Sequence, residues 1–197
     1  MMNGKLITFE GIDGSGKSTI ARMLSERIGE SAVLTVEPTK SWIGKSVIRA
    51  MEEQRDPITI ALLFIADRKE HLSEIEKWLE EGKLVICDRF IDSTFAYQKE
   101  HLNIPDAERW LSAVHEPFLI KPDVTFLLRI TPEKAMERIE ERVPALFEHA
   151  SFLARVQENY LDLAERERER FVIMDAEREK EELVDECLRV LKERGIL

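Results

Sequence analysis

The stretch GIDGSGKST at residues 11–19 constrains the fold of this chain more than any other feature. Gly11, Gly16, Lys17 and Ser18 meet the spacing G-x-x-x-x-G-K-[ST], between the apolar run KLITFE and the helix-like run KSTIARMLSERI. Glycines let backbone N–H groups surround an anion, and the positive end of the following helix adds to that attraction. The spacing therefore predicts a phosphate-binding loop, with the lysine toward the β- and γ-phosphates of a nucleoside triphosphate and the serine hydroxyl on Mg²⁺.

Short apolar runs alternate with amphipathic stretches along the chain. The runs at 6–9, 32–36, 84–87, 124–128 and 171–174 are rich in β-branched or aromatic residues, and each predicts a strand buried on both faces. The longest helix-like stretch begins with Asp56 as N-cap and Pro57 at the first helical position, and it ends at Gly82. This alternation predicts an α/β fold, with a five-stranded, mostly parallel sheet flanked by helices, in one domain over 1–197.

Composition restricts the partners and the compartment. The net charge of −10 and the lack of a long basic stripe argue against nucleic acid or an anionic membrane as the main partner. Cys87 and Cys187 form no CxxC pair and are expected to be buried, inert thiols. No apolar run approaches the roughly 20 residues of a membrane span, and acidic Glu10 comes too early for a signal peptide, so we expect a cytoplasmic location. The histidines show no metal-ligand spacing and receive no predicted chemistry; they are His71, His101, His115 and His149.

The phosphate loop alone does not separate switch GTPases from kinases. A GTPase needs Asn-Lys-x-Asp after a late strand, whereas the nearest string, IKPD at 120–123, precedes a strand and lacks the asparagine. The third strand ends in LVICDRF, which places Asp88 where a carboxylate can hold Mg²⁺ through water. Arg89 beside it can grip an acceptor phosphate with two parallel hydrogen bonds, or it can form a strand-end ion pair.

Phe64 and Arg68 lie one helical turn apart and share a helix face. An aromatic plane beside a fork of donors can stack on a base and hydrogen-bond to its edge. Taken alone this signal is weak, because a phenylalanine in IALLFIA is more often part of the core.

Six stretches, in order along nearly the whole chain, resemble the thymidylate kinase family: FEGIDGSGKST, EPT, LLFIADR, DRFIDSTFAYQ, KPDVTFLLRITPEKAMERIEER and NYLDLAE. The resemblance implies the P-loop NTPase sandwich of the nucleoside monophosphate kinases, and a homodimer. It implies transfer of the γ-phosphoryl group of ATP to thymidine monophosphate, with Mg²⁺, in dTTP biosynthesis. The residues then expected to bind ATP are Gly11, Ile12, Asp13, Gly14, Ser15, Gly16, Lys17, Ser18 and Thr19.

The resemblance also implies roles on the acceptor side. Asp13 would contact the 3′-hydroxyl of the acceptor, Phe64 would stack on thymine, and Arg68 would donate to a thymine carbonyl. Arg89 would clamp the acceptor phosphate, and Tyr97 would pack where a ribose 2′-hydroxyl would lie. The remaining acceptor-side residues are Ser93 and Thr94, which would line the base pocket, and Glu37, near the acceptor phosphate and the metal.

A further arginine is expected to close over the γ-phosphate. The resemblance places it in the phosphate loop of eukaryotic relatives, where this chain has Gly14, so a short mobile lid over 137–156, with Pro144 breaking its helix, would supply it. The candidates are Arg138, Arg142 and Arg155, of which Arg142 is favoured because it lies at the hinge between helix and lid. Arg138 is alternatively expected beside the adenine.

The chain departs from the family pattern in its lid, which is short and poorer in arginine than bacterial lids, and at two single positions. Val36 precedes Glu37-Pro38 where relatives often have arginine, and Arg129 ends the fourth strand where an acid is usual. Deoxyuridine monophosphate stays open as an acceptor, because a methyl pocket discriminates by only ~1–3 kcal/mol. Two alternatives remain: a small kinase with another acceptor, and a nucleotide-binding module without turnover.

Overall fold

A computed structural model describes residues 3–102, 104–140 and 150–197, with only the backbone of Glu140. Its sheet has the order β2-β3-β1-β4-β5, and every neighbouring pair is parallel. The strands are β1 (Lys5–Glu10), β2 (Ala32–Val36), β3 (Leu84–Asp88), β4 (Val124–Arg129) and β5 (Phe171–Asp175). Each contains the apolar run that predicted it, so the predicted five-stranded parallel sheet is confirmed.

Helices connect the strands. They are α1 (Lys17–Ile28), α2 (Trp42–Glu52), α3 (Pro57–Glu80), α4 (Ile91–Ser93), α5 (Lys99–His101), α6 (Ala107–His115), α7 (Pro132–Glu140), α8 (Ala150–Arg166) and α9 (Lys180–Glu193). A π-helical turn, Thr94–Gln98, joins α4 to α5. At the start of α3 the Asp56 side chain accepts a hydrogen bond from the Thr59 backbone N–H at 3.0 Å, so the predicted N-cap is confirmed.

Apolar side chains cover both faces of the sheet. On one face Ile7 and Phe9 of β1 belong to a cluster with residues of α1, α8 and α9. On the other face Leu6 belongs to a cluster with Leu72 and Ile75 of α3. Because successive strand residues point to opposite faces, this alternation produces three layers, helix, sheet and helix.

The expected burial of every strand on both faces is wrong for the two edge strands. Leu34 of β2 is 43% exposed and Ile173 of β5 is 49% exposed, whereas β1 and β3 are almost fully buried. The reason is sheet order: an edge strand has a neighbour on one side only, and the helices cover the centre of the sheet better than its margins.

The carboxyl ends of β2, β3 and β1 meet at one edge of the sheet. In the parallel register Phe9 pairs with Asp88, and Asp88 pairs with Val36. The phosphate loop, the segment after β3 and the segment after β2 therefore start side by side, which is where open α/β sheets bind ligands.

The predicted lid falls partly on residues that are described. Residues 137–140 belong to α7 and 150–156 belong to α8, whereas Arg142 and Pro144 lie outside the described residues. Cys87 and Cys187 are buried free thiols, as expected, and burial raises the pKa of both. Within the part of the chain that the structure describes, no helix is both long enough and apolar enough to cross a membrane.

Candidate active site

The loop between β1 and α1 depends on its glycines. Gly11, Gly14 and Gly16 have φ values of +139°, +79° and +95°, which residues with a side chain rarely adopt. A Cβ atom at Gly14 would lie 2.4 Å from the Ala135 carbonyl oxygen of α7. The loop therefore packs directly against backbone, and a larger residue at Gly14 would force α7 away.

Lys17 at the start of α1 points back into this loop. Its ammonium donates to the Ile12 carbonyl oxygen at 2.8 Å and lies 3.4 Å from the Ser15 hydroxyl oxygen, and the residue is 5% exposed. Burial and the nearby Arg89 charge lower its pKa to about 8. A bound phosphate would add negative charge here and favour the protonated lysine.

Ser18 and Asp88 meet between α1 and the end of β3. The Ser18 hydroxyl donates to Asp88 Oδ2, while the buried Asp88 Oδ1 has no hydrogen-bond partner among the described residues. Hydroxyl and carboxylate oxygens suit Mg²⁺, so this pair fits the ion. No group of three or more His, Cys, Asp or Glu residues able to hold a metal occurs in residues 3–102, 104–140 and 150–197.

Arg89 extends from β3 toward the phosphate loop. One terminal nitrogen donates to Asp13 Oδ1, and the other donates to the Ser93 hydroxyl at 3.1 Å. Its guanidinium carbon lies 5.0 Å from the ring centroid of Tyr97, whose hydroxyl donates to Asp13 Oδ2 at 3.0 Å. The structure thus brings together four residues that the sequence assigned to the acceptor side, and Arg89 also forms an ion pair, with Asp13 of the loop.

The Asp13 carboxylate stays charged in this setting. Burial acts to raise its pKa, but the charges of Arg89 and Lys17 and the Tyr97 hydrogen bond outweigh burial and lower it. Its side chain is nevertheless 43% exposed. The group is therefore an accessible acceptor for a hydroxyl of a ligand.

Glu10 is a buried residue beside the site that the sequence did not single out. It is fully buried at the end of β1 and accepts from the Phe90 backbone N–H at 2.8 Å, the Ser93 hydroxyl at 2.6 Å and the Tyr160 hydroxyl at 2.9 Å. These bonds fix the segment just after Arg89. An acidic residue ending a buried strand was the available signal.

Two further facts describe the surroundings of Glu10. Burial and the negative charge of Asp92 raise the Glu10 pKa to about 7. Arg89, which directly precedes the segment that Glu10 holds, has φ +67°, a conformation uncommon outside glycine. The carboxyl group therefore helps to maintain a strained turn at the site.

Arg68 is enclosed in the protein, although the sequence predicted it at a base. Its terminal nitrogens donate to Glu37 Oε2 at 2.6 Å, the Phe90 carbonyl oxygen at 3.1 Å, Thr94 Oγ1 at 2.8 Å and His115 Nε2 at 3.0 Å. The residue is 1% exposed. The structure thus joins Glu37, Arg68 and Thr94, and the thymine contact of Arg68 stays a prediction.

Phe64 lies one turn before Arg68 on α3 and is half-buried. It belongs to none of the buried apolar clusters formed by the described residues. The structure therefore does not favour the alternative that Phe64 is a core residue.

The segment after β2 is held by α3. Asp67 accepts from the Thr39 backbone N–H at 2.7 Å and from the Thr39 hydroxyl at 2.6 Å. His71 Nδ1 donates to Glu37 Oε1 at 3.0 Å, and its Nε2 lies 2.7 Å from the Thr35 hydroxyl oxygen. Sequence reasoning missed both residues, although Asp67 and His71 are one helical turn apart on the helix of Arg68.

The two candidate lid arginines that the structure describes have different positions. Arg138 donates to the Ala176 carbonyl oxygen at 3.1 Å and to the Gly14 carbonyl oxygen at 3.4 Å, so it links the phosphate loop to the turn after β5. Arg155 donates to Glu100 Oε2 at 2.8 Å on the surface. Arg142 lies outside the described residues, and its role stays a prediction.

Comparison with known proteins identifies the same family as the sequence motifs. The family profile described as thymidylate kinase matches residues 9–187. A probable thymidylate kinase of Methanoculleus marisnigri is 49% identical over 183 residues, covering 90% of this chain and 89% of the relative. A probable thymidylate kinase of Methanococcoides burtonii is 44% identical over 197 residues, covering 96% and 97% of the two chains.

A solved structure agrees with these sequence matches. The crystal structure of thymidylate kinase from Ehrlichia chaffeensis superposes with a TM-score of 0.77 and 30% identity, covering 96% of this chain and 98% of that chain. The profile match spans the phosphate loop and the Arg68 and Arg89 regions alike. The chain therefore belongs to the thymidylate kinase family, whose members are nucleoside monophosphate kinases.

Proposed function

We propose that this chain transfers the γ-phosphoryl group of ATP to thymidine monophosphate and produces ADP and thymidine diphosphate for dTTP synthesis. The observation that carries the proposal is that two cations reach the backbone of the phosphate loop: Lys17 donates to the Ile12 carbonyl oxygen at 2.8 Å, and Arg89 donates to the Gly11 carbonyl oxygen at 3.4 Å. One cation at the start of α1 and one directly after β3 suit two phosphate groups that must approach each other. Membership of the family supplies the identities of donor and acceptor.

The chemistry requires position and positive charge more than covalent catalysis. Lys17 and the loop N–H groups would hold the β- and γ-phosphates of ATP, and Arg89 would hold the acceptor phosphate in line. Arg89 would exchange its bond to Asp13 for the phosphate. Ser18 and Asp88 would hold Mg²⁺, which supplies further positive charge to the phosphates when bound.

The acceptor nucleoside would lie between α3 and the turn after β3. Phe64 would stack on the base and Arg68 would donate to a carbonyl, while Ser93 and Thr94 would line the pocket. The accessible carboxylate of Asp13 supports its role as acceptor for the 3′-hydroxyl. Two side chains complete the proposed set: Tyr97, which would exclude a 2′-hydroxyl, and Glu37, which would lie near the acceptor phosphate.

An acceptor panel tests this proposal. ADP formation from Mg-ATP is measured with the thymidine, deoxyuridine, uridine, cytidine, adenosine and guanosine monophosphates, and without acceptor. We expect strong turnover with the thymidine form and much less with the ribonucleotides. Preference for another acceptor would favour the other small kinase, and ATP binding without turnover would favour the binding module.

We further propose that Arg142 closes over the γ-phosphate from the lid. The Arg142→Ala variant should have a much lower kcat with little change in nucleotide affinity, because the lost charge acts on the transition state. Arg155→Ala is the matched control, since Arg155 pairs with Glu100 on the surface. An unchanged kcat for Arg142→Ala would remove Arg142 from the reaction.

We also propose a homodimer formed through α2 and α3. The two helices pack on each other and share exposed apolar side chains: Trp42 (74% exposed), Ile48 (46%), Met51 (51%), Ile58 (37%) and Leu62 (48%). A surface of this kind is typical of association sites. Light scattering should give twice the monomer mass for the wild type and the monomer mass for Leu62→Asp.

A cytoplasmic location is proposed from the thiols. Cys87 and Cys187 are free and buried, and free thiols suit a reducing compartment. Cell fractionation tests this location.

A further inference from the structure

The guanidinium of Arg68 has one donor left over. An arginine side chain carries five N–H groups, two on each terminal nitrogen and one on Nε. The Nη1 pair meets Thr94 Oγ1 and His115 Nε2, and the Nη2 pair meets Glu37 Oε2 and the Phe90 carbonyl oxygen. Nε is buried and has no hydrogen-bond partner among the described residues.

An unpaired buried donor is unusual in a folded protein. Leaving such a group unsatisfied destabilises the folded state, and each case calls for a cause such as an absent ligand. Arg68 lies one helical turn from the half-buried Phe64. A carbonyl group of a base stacked on Phe64 would be an acceptor of the right kind for the Nε–H.

The orientation of Arg68 depends on a histidine in a fixed tautomer. His115 Nδ1 lies 2.7 Å from the Leu111 carbonyl oxygen, which can only accept, so Nδ1 carries a proton. Nε2 is then free to accept from Arg68 at 3.0 Å. Burial and the Arg68 charge lower the His115 pKa to about 4, so the ring is neutral at physiological pH.

The surroundings of His115 restrict its ring. The residue is 1% exposed at the end of α6, and its ring centroid lies 5.7 Å from that of Phe118 and 6.3 Å from that of Phe95. The Leu111 bond and these two rings set the direction of the Nε2 lone pair. His115 Nε2 accepts from Nη1 of Arg68 and Glu37 accepts from Nη2. These two acceptors together determine the orientation of the guanidinium plane.

We propose that His115 is a positioning residue for acceptor recognition: it accepts from Arg68 Nη1 and so leaves Nε–H as the donor to the 4-carbonyl of a pyrimidine base. The assignment rests on the proposed function, because it requires a thymidine or deoxyuridine nucleotide as acceptor. A cytosine base, which has an amino group at that position, would present a donor to the Nε–H and would be rejected.

Two variants of His115 separate positioning from packing. His115→Gln can place an amide oxygen near the site of Nε2, whereas His115→Leu keeps volume and removes the acceptor. The matched control is Leu102→Ala, which loosens the neighbouring apolar cluster of Leu102, Leu111 and Ala61 without removing a polar group. Should His115→Leu fail to fold, His115→Asn replaces it, because its shorter side chain does not reach Arg68.

Steady-state kinetics with each nucleotide give the readout. We expect His115→Leu to raise the KM for thymidine monophosphate about tenfold, the fold-change that corresponds to one lost buried hydrogen bond. The kcat and the KM for ATP should stay within about twofold of wild type, since only acceptor binding is changed. His115→Gln should restore the acceptor KM, and the preference for thymidine over deoxycytidine monophosphate should fall only in the leucine variant.

Other outcomes would overturn the assignment. An unchanged acceptor KM in His115→Leu, equal damage in the leucine and glutamine variants, or the same KM rise in Leu102→Ala would each show that His115 only packs. If the wild-type chain does not phosphorylate thymidine monophosphate at all, the proposed function fails and the assignment fails with it. Turnover by the wild type therefore distinguishes the two failures.

Discussion

Two arginines predicted for the same acceptor occupy contrasting environments. Arg68 is 1% exposed, and its terminal nitrogens are all bonded to buried protein acceptors, with Glu37 as the opposite charge. The Arg89 side chain is 19% exposed and is bonded to Asp13, itself 43% exposed. The contacts of Arg68 are those of a structural residue inside the protein. Arg89, in contrast, can exchange its ion pair with Asp13 for a phosphate.

The difference shows that burial separates two uses of the same side chain. A buried ion pair with several further hydrogen bonds is costly to disturb, while a partly exposed pair contributes little to stability and stays available to a ligand. We therefore expect substitutions of Arg68 to affect mainly folding, and those of Arg89 to affect mainly catalysis.

The largest expected effect is on stability. Arg68→Ala leaves the Glu37 carboxylate buried beside an empty volume, so the free energy of unfolding should fall by about 3–5 kcal/mol. Urea unfolding followed by circular dichroism measures this change. Arg89→Ala is the control and should unfold within about 1 kcal/mol of wild type; equal losses in the two variants would remove the contrast.

The next effect is on turnover. Arg89→Ala should lower kcat/KM for thymidine monophosphate by about 10²–10³-fold, the usual loss for one preorganised donor at a developing charge. Coupled ADP-release assays measure this value. Arg89→Lys tests geometry, because lysine keeps the charge without the planar fork, and full activity in that variant would contradict a two-bond phosphate clamp.

Glu10, which holds the segment after Arg89, is expected to make the stability of the folded chain depend on pH. Its pKa is raised from 4.5 to about 7 in the folded chain, so between these values the unfolded chain releases a proton that the folded chain keeps. Stability should therefore decrease as pH rises across this range, by at most about 1.4 kcal/mol per pH unit from this group.

Comparison of two proteins isolates the Glu10 contribution. Urea unfolding of wild type and Glu10→Gln at pH 5, 6 and 7 should show a smaller decline in the variant, which cannot titrate at residue 10. Parallel declines in the two proteins would show that other groups are responsible.

The smallest effect concerns Phe64, the half-buried neighbour of buried Arg68. Phe64→Ala should raise the acceptor KM about three- to tenfold through lost stacking, while the kcat stays near wild type. Phe64→Tyr is the control because it keeps the ring. A KM for thymidine monophosphate that does not change in Phe64→Ala would move the base pocket elsewhere.

The parts of the structure that could be predicted from sequence are those with local signals. Strand runs, the Asp56 cap and the glycine spacing of the loop depend on near neighbours in the chain, and they are confirmed. The exposure of Leu34 and Ile173 could not be predicted, because it depends on which strands end at the sheet edges.

The partners of the buried hydrogen bonds could not be predicted from the sequence either. His115 meets Arg68 from 47 positions away, and Tyr160 meets Glu10 from 150 positions away. A histidine without metal-ligand spacing is common in proteins, and so is an acidic residue before a glycine-rich loop. The sequence therefore gives no reason to single them out, because their roles depend on partners that only the fold brings close.

The contact between Gly14 and α7 has a consequence for the closing arginine. The Ala135 carbonyl oxygen lies 2.4 Å from where a side chain at Gly14 would begin. An arginine there, the arrangement that the resemblance assigns to eukaryotic relatives, would disrupt the loop before it could add a useful charge. An arginine in the loop of this chain would therefore require helix α7 to shift first, so the position of α7 restricts which segment can supply the closing arginine.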